Sequence, residues 1–288
     1  MKALFLTLPL VLLFSRPEAS LSEKPSNRLD NNIAKCHSTV QTFAALADDP
    51  AFGKIHLDPE EYVLQNAKGK MITYDVKDGE QANAYYVPAK KKSNEYLFVI
   101  HEWYGLNEFV KSQSDIFSDR FKNMNIIALD LYDGNVADNR EDARKYMQSV
   151  TTERAMAIIA GAQAFAGEDA DIFTVGWCFG GGWSLQSAIE LGDQAKGAIM
   201  FYGMPENDLE RLGTLKCDVL GIFATKDRWI NQEVADKFET NMAKIPNQLT
   251  LKSYEADHGF ANPSNPIYDE EAATDAYQQM ADFIAARR

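Results

Sequence analysis

The sequence predicts an α/β fold: a mostly parallel central sheet flanked by helices on both faces, with an N-terminal β-hairpin. Three observations predict it. From Tyr96 onward, short continuous apolar runs alternate with segments of helical spacing. That is the pattern of strands buried on both faces by crossover helices. Before them, MITYDV and ANAYYV alternate around Asp78-Gly79, a hairpin signature. A chain of 288 residues with 45% hydrophobic content can also bury one sizeable core.

Taken in order, Lys2 and the apolar run Ala3–Phe14 (ALFLTLPLVLLF) read as a signal peptide over residues 1–20, cut after Ala19 or Ser20. The run is too short to span a bilayer as a helix, which needs about 20 residues. A periplasmic or secreted protein is expected, with no stable membrane insertion after processing. Residues 21–69 form an N-terminal extension, polar at SEKPSNRLDNN, with a short helix expected over Val40–Leu46. Residues 70–288 form the α/β domain. After the hairpin come strand YLFVIHEW (96–103), helix FVKSQSDIFSDRF, strand NIIALDLY (125–132), and helices over 139–149 and 152–166. Strand DIFTVGW (171–177) leads into helix GGWSLQSAIEL. Strands AKGAIMFYG and DVLGIFATK, helix QEVADKFETNMAKI, strand LTLKSYEA and a last helix EEAATDAYQQMADFIAARR complete the domain.

The formal charge of −13 argues against nucleic acid or anionic lipid as a partner. Of the three cysteines, Cys36, Cys178 and Cys217, at least one is left unpaired or intermolecular in an exported chain. Cys217 reads as a small buried residue at a strand start. Cys36 and Cys217 are the one intramolecular pair that would spare Cys178.

Ligands of such sheets bind beyond the carboxyl ends of the strands. Reactive groups follow four of the strands: His101-Glu102-Trp103, Cys178, Asp227 and Asp257-His258. Nucleophile, acid and histidine occur in the order used by α/β-hydrolases. Gly-Trp-Cys-Phe-Gly has the spacing of a G-x-S-x-G turn with sulfur in place of the hydroxyl. The helix that starts near Phe179 would aim its free N–H groups at that sulfur. His258 would take the thiol proton and Asp227 would orient the imidazole. His37 and His56, in the extension and away from any strand end, are expected to be surface or packing residues. No spacing of His, Cys and Asp suggests a metal site, GWCFGGG lacks the Lys-Ser/Thr of a phosphate loop, and no cofactor is expected.

The stretches VIHEWYGLN, ALDLYDG, VGWCFGGG, FATKDRWI and DHGFANP together carry a resemblance. From about Lys70 to Ala285 the chain resembles the dienelactone hydrolases, a cysteine-dependent branch of the α/β-hydrolases. The resemblance implies a Cys178–Asp227–His258 triad acting on a small ester or lactone through a thioester. It implies that Glu102 contacts the resting thiol and that the backbone N–H groups of Trp103 and Phe179 form the oxyanion hole. It matches Arg140 to the family's carboxylate-binding arginine and places Tyr202 in the pocket lining. The sequence departs from the pattern at Asn262, where a second arginine would help hold the carboxylate, and at Arg144 and Met147, which replace aromatics. Two other classes compete with the hydrolase: a redox-active thiol protein, which no C-x-x-C supports, and a silent binding protein on a hydrolase scaffold, which the intact acid and histidine disfavour.

Overall fold

A computed structural model describes residues 43, 45–58, 62–77 and 79–288. The expected signal peptide and Cys36 lie outside the described residues, as does most of the helix expected over Val40–Leu46. Eight strands form one sheet in the order β1-β2-β4-β3-β5-β6-β7-β8. They are β1 (Lys70–Asp75), β2 (Gln81–Val87), β3 (Glu95–Ile100), β4 (Asn125–Leu129), β5 (Asp171–Trp177), β6 (Ala195–Phe201), β7 (Val219–Ala224) and β8 (Leu249–Tyr254). The expected hairpin is present: β1 and β2 pair antiparallel from Lys70↔Tyr86 to Asp75↔Gln81. β2 meets β4 antiparallel, and every pairing from β4 to β8 is parallel.

The middle strands are buried along nearly their whole length, which explains their unbroken apolar sequences. Helices α1 (Pro50–Ile55), α2 (Glu108–Arg120), α3 (Arg140–Ser149), α4 (Thr152–Ala166), α5 (Phe179–Leu191), α6 (Leu209–Leu212), α7 (Gln232–Met242) and α8 (Glu270–Ala285) accompany the sheet. Side-chain caps start most of them: Asn107 for α2, Asn139 for α3, Thr151 for α4 and Asn231 for α7 each accept a first-turn N–H. Among the described residues no helix is long and apolar enough to cross a membrane.

Helix α5 is the exception to the polar-outside rule, buried at all but one of its positions and therefore enclosed by protein. A buried polar network fixes its flank. Arg211 and Glu206 pair at 3.4 Å with fully buried side chains, and Gln186 on α5 accepts from Arg211 at 2.9 and 2.7 Å. Glu206 also accepts from Gln186 and from the N–H groups of Asn207 and Asp208. Arg211→Met leaves that carboxylate buried without its cation, and a loss of about 3–5 kcal/mol of stability is expected. Denaturant melts check it. A loss under about 1 kcal/mol, or a Glu206→Leu/Arg211→Met pair no more stable than Arg211→Met alone, would contradict it.

Candidate active site

The turn that carries Cys178 is built by glycine. Cys178 sits between β5 and α5 with φ 55°, a backbone state that non-glycine residues rarely hold. The strand and helix cross so closely that a Cβ on Gly176 would lie 2.0 Å from the Gly180 carbonyl oxygen. A Cβ on Gly180 would lie 2.3 Å from the carbonyl oxygens of Ile100 and His101. The turn is thereby pressed against the end of β3, and Cys178 is lifted above the sheet beside Glu102 and Trp103. Phe179 opens α5, so its N–H has no partner within the helix and is turned to the Cys178 sulfur.

The three residues that the strand-end pattern singled out converge. His258 Nδ1–H donates to Asp227 Oδ2 at 2.5 Å. The other Asp227 oxygen accepts from the N–H groups of Trp229 and Ile230 at 2.8 and 3.0 Å. Burial opposes the Asp227 charge, but His258 and these two N–H groups hold its pKa below the ordinary value. Burial likewise opposes a charged His258, yet the Asp227 carboxylate and the sulfur raise its pKa well above the ordinary histidine value. The His258 Nε2 faces Sγ from within 4.8 Å and has no hydrogen-bond partner among the described residues. Cys178 is 1% exposed. Burial pushes its thiol pKa up, with Glu102 adding to the effect and His258 and the Phe179 N–H opposing it. The resting sulfur is therefore a thiol.

His56 is not a surface residue but a packing one, and its packing sets it against the sulfur: its Nε2 lies 3.5 Å from Cys178 Sγ, within hydrogen-bonding reach. His56 Nδ1–H donates to the Phe52 carbonyl at 2.9 Å. Burial, with His258 nearby, lowers the His56 pKa to about 3. The ring is thus neutral, and Nε2 is the lone-pair nitrogen that accepts the thiol proton. It stacks on Trp103 with ring centroids 4.5 Å apart. Phe52 of α1, fully buried, meets Trp103, Trp229 and His258 edge-on.

The described part of the extension therefore covers Cys178 and His258, and several bonds pin it there. Asp49 caps α1 and accepts from Trp229 Nε1 at 2.9 Å. Tyr104 OH donates to the carbonyls of His56 and Leu57 at 2.9 and 2.6 Å. Asp48 accepts from Arg144 and Gln148, both at 2.8 Å. Arg144, one of the departures from the family pattern, thus has a partner in the extension. The sequence signal for α1 was an N-cap Asp followed by Pro in DDPAFGKI. That signal announces a helix but not where it docks.

Glu102 lies near enough to the thiol for its charge to oppose thiolate formation. Its carboxylate is held by the side-chain amide of Asn262, the residue that stands in place of the family's arginine. Burial raises the Glu102 pKa to about 7, against His258 and Asn262, which lower it. Tyr202 is buried with its ring 5.0 Å from that of His258. Arg140 opens α3 at the surface. Its backbone N–H and its Nε both donate to Asp58, at 3.0 and 3.3 Å. Its carboxylate partner is thus a residue of the covering segment. Cys178 and Cys217 are both free and buried.

The space left at the centre is small. A cavity of about 20 Å³, lined by His56, Glu102, Trp103 and Asn262, has room for about one water. It shares Asn107 and Ser264 with an open hollow of about 580 Å³. On the other side of the segment, a hollow of about 330 Å³ reaches Asp227 and His258 past Ile55 and Leu57. The convergence of His56 and His258 on Cys178 brings three ligand atoms within 4.8 Å of one another, although their sequence spacing carries no such signal.

The dienelactone hydrolase family model matches residues 83–287. The protein usf of Aquifex pyrophilus is 27% identical over 75% of this chain and 97% of its own length. Carboxymethylenebutenolidase 1 of Cupriavidus pinatubonensis is 22% identical over 73% of this chain and 93% of its own. Among solved structures, a dienelactone hydrolase-like promiscuous phosphotriesterase from metagenomic libraries superposes with a TM-score of 0.64. That likeness covers 76% of this chain and 99% of the other at 19% identity, and it bears on the fold.

Proposed function

This chain belongs to the dienelactone hydrolase family, and on that premise we propose that it cleaves a small, carboxylate-bearing ester or lactone through a thioester on Cys178. It is a carboxylic ester/lactone hydrolase. The observation that carries the finer reading is the buried Asp227–His258 pair facing a sulfur on a strained strand-to-helix turn. In the form with Nε2 unprotonated, His258 takes the thiol proton, and Sγ attacks the carbonyl carbon. The oxyanion so formed is met by the N–H groups of Phe179 and Trp103. The C–O bond breaks, and His258 returns the proton to the leaving oxygen, which stays tethered if the substrate is a lactone. Water then attacks the thioester, with His258 as base, and frees the acid and the thiol. Because the resting thiol bonds to His56, the sulfur must first turn to His258. Export to the periplasm or beyond is part of the same reading, supported by Lys2 and the apolar run that follows.

Intact-mass analysis of acid-quenched turnover tests the reading. An acyl adduct on the Cys178 peptide supports it, and full activity with no adduct in Cys178→Ala would sink it. Arg140 supplies the carboxylate preference. A guanidinium can grip a carboxylate through two parallel hydrogen bonds, and Asp58 now occupies it. Arg140→Ala is expected to raise KM for a carboxylate-bearing lactone about 10-fold, equal to about 1.4 kcal/mol, and to leave neutral p-nitrophenyl acetate unaffected. Equal losses on both substrates would make Arg140 a support for the fold instead.

A further inference from the structure

We propose that His56, Cys178 and His258 form a binding site for a zinc-class metal ion, assembled only when the extension lies over the catalytic centre. The three ligand atoms, two imidazole Nε2 and one Sγ, are buried and lie within 4.8 Å of one another. A tetrahedral zinc with Zn–S near 2.3 Å and Zn–N near 2.0 Å separates sulfur from nitrogen by about 3.5 Å. The observed separation of Cys178 Sγ from His56 Nε2 is 3.5 Å. Two nitrogens on such an ion lie about 3.3 Å apart, so the remaining contraction is on the order of 1 Å, within reach of side-chain torsions.

The outer contacts are those of metal-ligating histidines. Such residues donate their second ring N–H to a carboxylate or a backbone carbonyl, which fixes the tautomer and aims the other nitrogen. His258 Nδ1–H is held by Asp227, and His56 Nδ1–H by the Phe52 carbonyl. Both rings therefore present Nε2 to the sulfur. The His258 Nε2, buried and without a hydrogen-bond partner of good geometry among the described residues, is a polar atom of the kind that a ligand satisfies. Thiolate and imidazole are the donors that zinc prefers, and three protein ligands leave a fourth tetrahedral position. The cavity beside His56 has room for the single water such a position takes. Strong net negative charge, −13, draws cations toward the protein.

Binding forms one M–S and two M–N bonds. It releases the thiol proton, and any proton on His258 Nε2, to buffer, with no change of oxidation state. The metal ties the extension to the nucleophile, so the loaded protein does not turn over ester; that consequence alone rests on the hydrolase reading. Cobalt(II) is the probe. The chelator-treated full chain is titrated with Co²⁺ under reducing, anaerobic conditions and read by absorption. One equivalent should give a near-ultraviolet thiolate-to-cobalt band and the intense visible bands of a tetrahedral ion. Cys178→Ser should abolish the thiolate band. His56→Phe, and separately His56→Gln in case the first fails to fold, should weaken Co²⁺ binding at least about 100-fold, as loss of a direct ligand requires. Zn²⁺ should displace the signal. The proposal is overturned if no equimolar complex forms. A thiolate band that survives in Cys178→Ser, or binding unweakened in a folded His56 variant, overturns it equally, as does p-nitrophenyl acetate turnover continuing at saturating Zn²⁺. A metal-free protein with no esterase activity would refute the hydrolase reading, and the cobalt spectra would still decide the site.

Discussion

Cys178→Ala is expected to lower kcat toward p-nitrophenyl acetate by at least about 10³-fold, the scale on which deletion of one member of a hydrolytic triad acts. The size follows from the division of labour at the site. Without Sγ there is no thioester, and His258 is left to activate water from a position set by Asp227 for a sulfur proton. Asp227→Asn should cost about 10²–10⁴-fold, because an amide can present its N–H to Nδ1 and so favour the wrong tautomer. The Asp227 backbone contacts, from Trp229 and Ile230, keep the asparagine in place and make this a test of the proton and not of the loop. Steady-state rates on folded variants decide it. A Cys178→Ala enzyme within about 10-fold of the parent would mean that another group attacks the ester, and His56 would be the first to examine.

The parts of the fold that were legible in the sequence are those written locally. Each central strand is an apolar run between polar caps, and most of the long helices begin at an Asn, Thr or Asp that accepts its own first-turn N–H. The meeting of Cys178, Asp227 and His258 was legible for a related reason: parallel strands deliver their carboxyl ends to one edge, so the three needed only to follow strands in order. Long-range docking was not legible. His56 is 122 residues from Cys178 and Asp49 is 180 from Trp229, and no period or cap records such a meeting. The same is true of Glu102, whose partner Asn262 is 160 residues away. Asn262 departs from the family arginine but still holds the glutamate, so the substitution changes the charge beside the carboxylate and keeps it tethered. Arg144 became intelligible only with its partner in view, since Asp48 belongs to the extension that the resemblance does not cover.

Phe52→Ala is expected to speed alkylation of Cys178 by iodoacetamide about 10²-fold. Phe52 is fully buried, wedged against Trp103, Trp229 and His258, and it holds the covering segment over a sulfur that is itself 1% exposed. Truncating a buried phenylalanine costs about 3–5 kcal/mol. If about 3 kcal/mol of that falls on the docked segment and not on the domain beneath it, the opened population rises about 10²-fold, at about 1.4 kcal/mol per decade. Alkylation proceeds from the opened form, so its rate follows that population. The remaining ties of the segment, Asp49 to Trp229 and Tyr104 to the carbonyls of His56 and Leu57, keep the variant mostly closed. Cys217 supplies the internal reference. It is buried, and burial pushes its thiol pKa up to about 12, so it reacts only when the domain itself opens. Peptide mass mapping after timed labelling reads both sites in one sample. Faster labelling at Cys178 with Cys217 unchanged marks release of the segment. Parallel acceleration at both cysteines would show that Phe52 supports the whole domain, and no acceleration at either would show that closure of the segment does not limit access to the nucleophile.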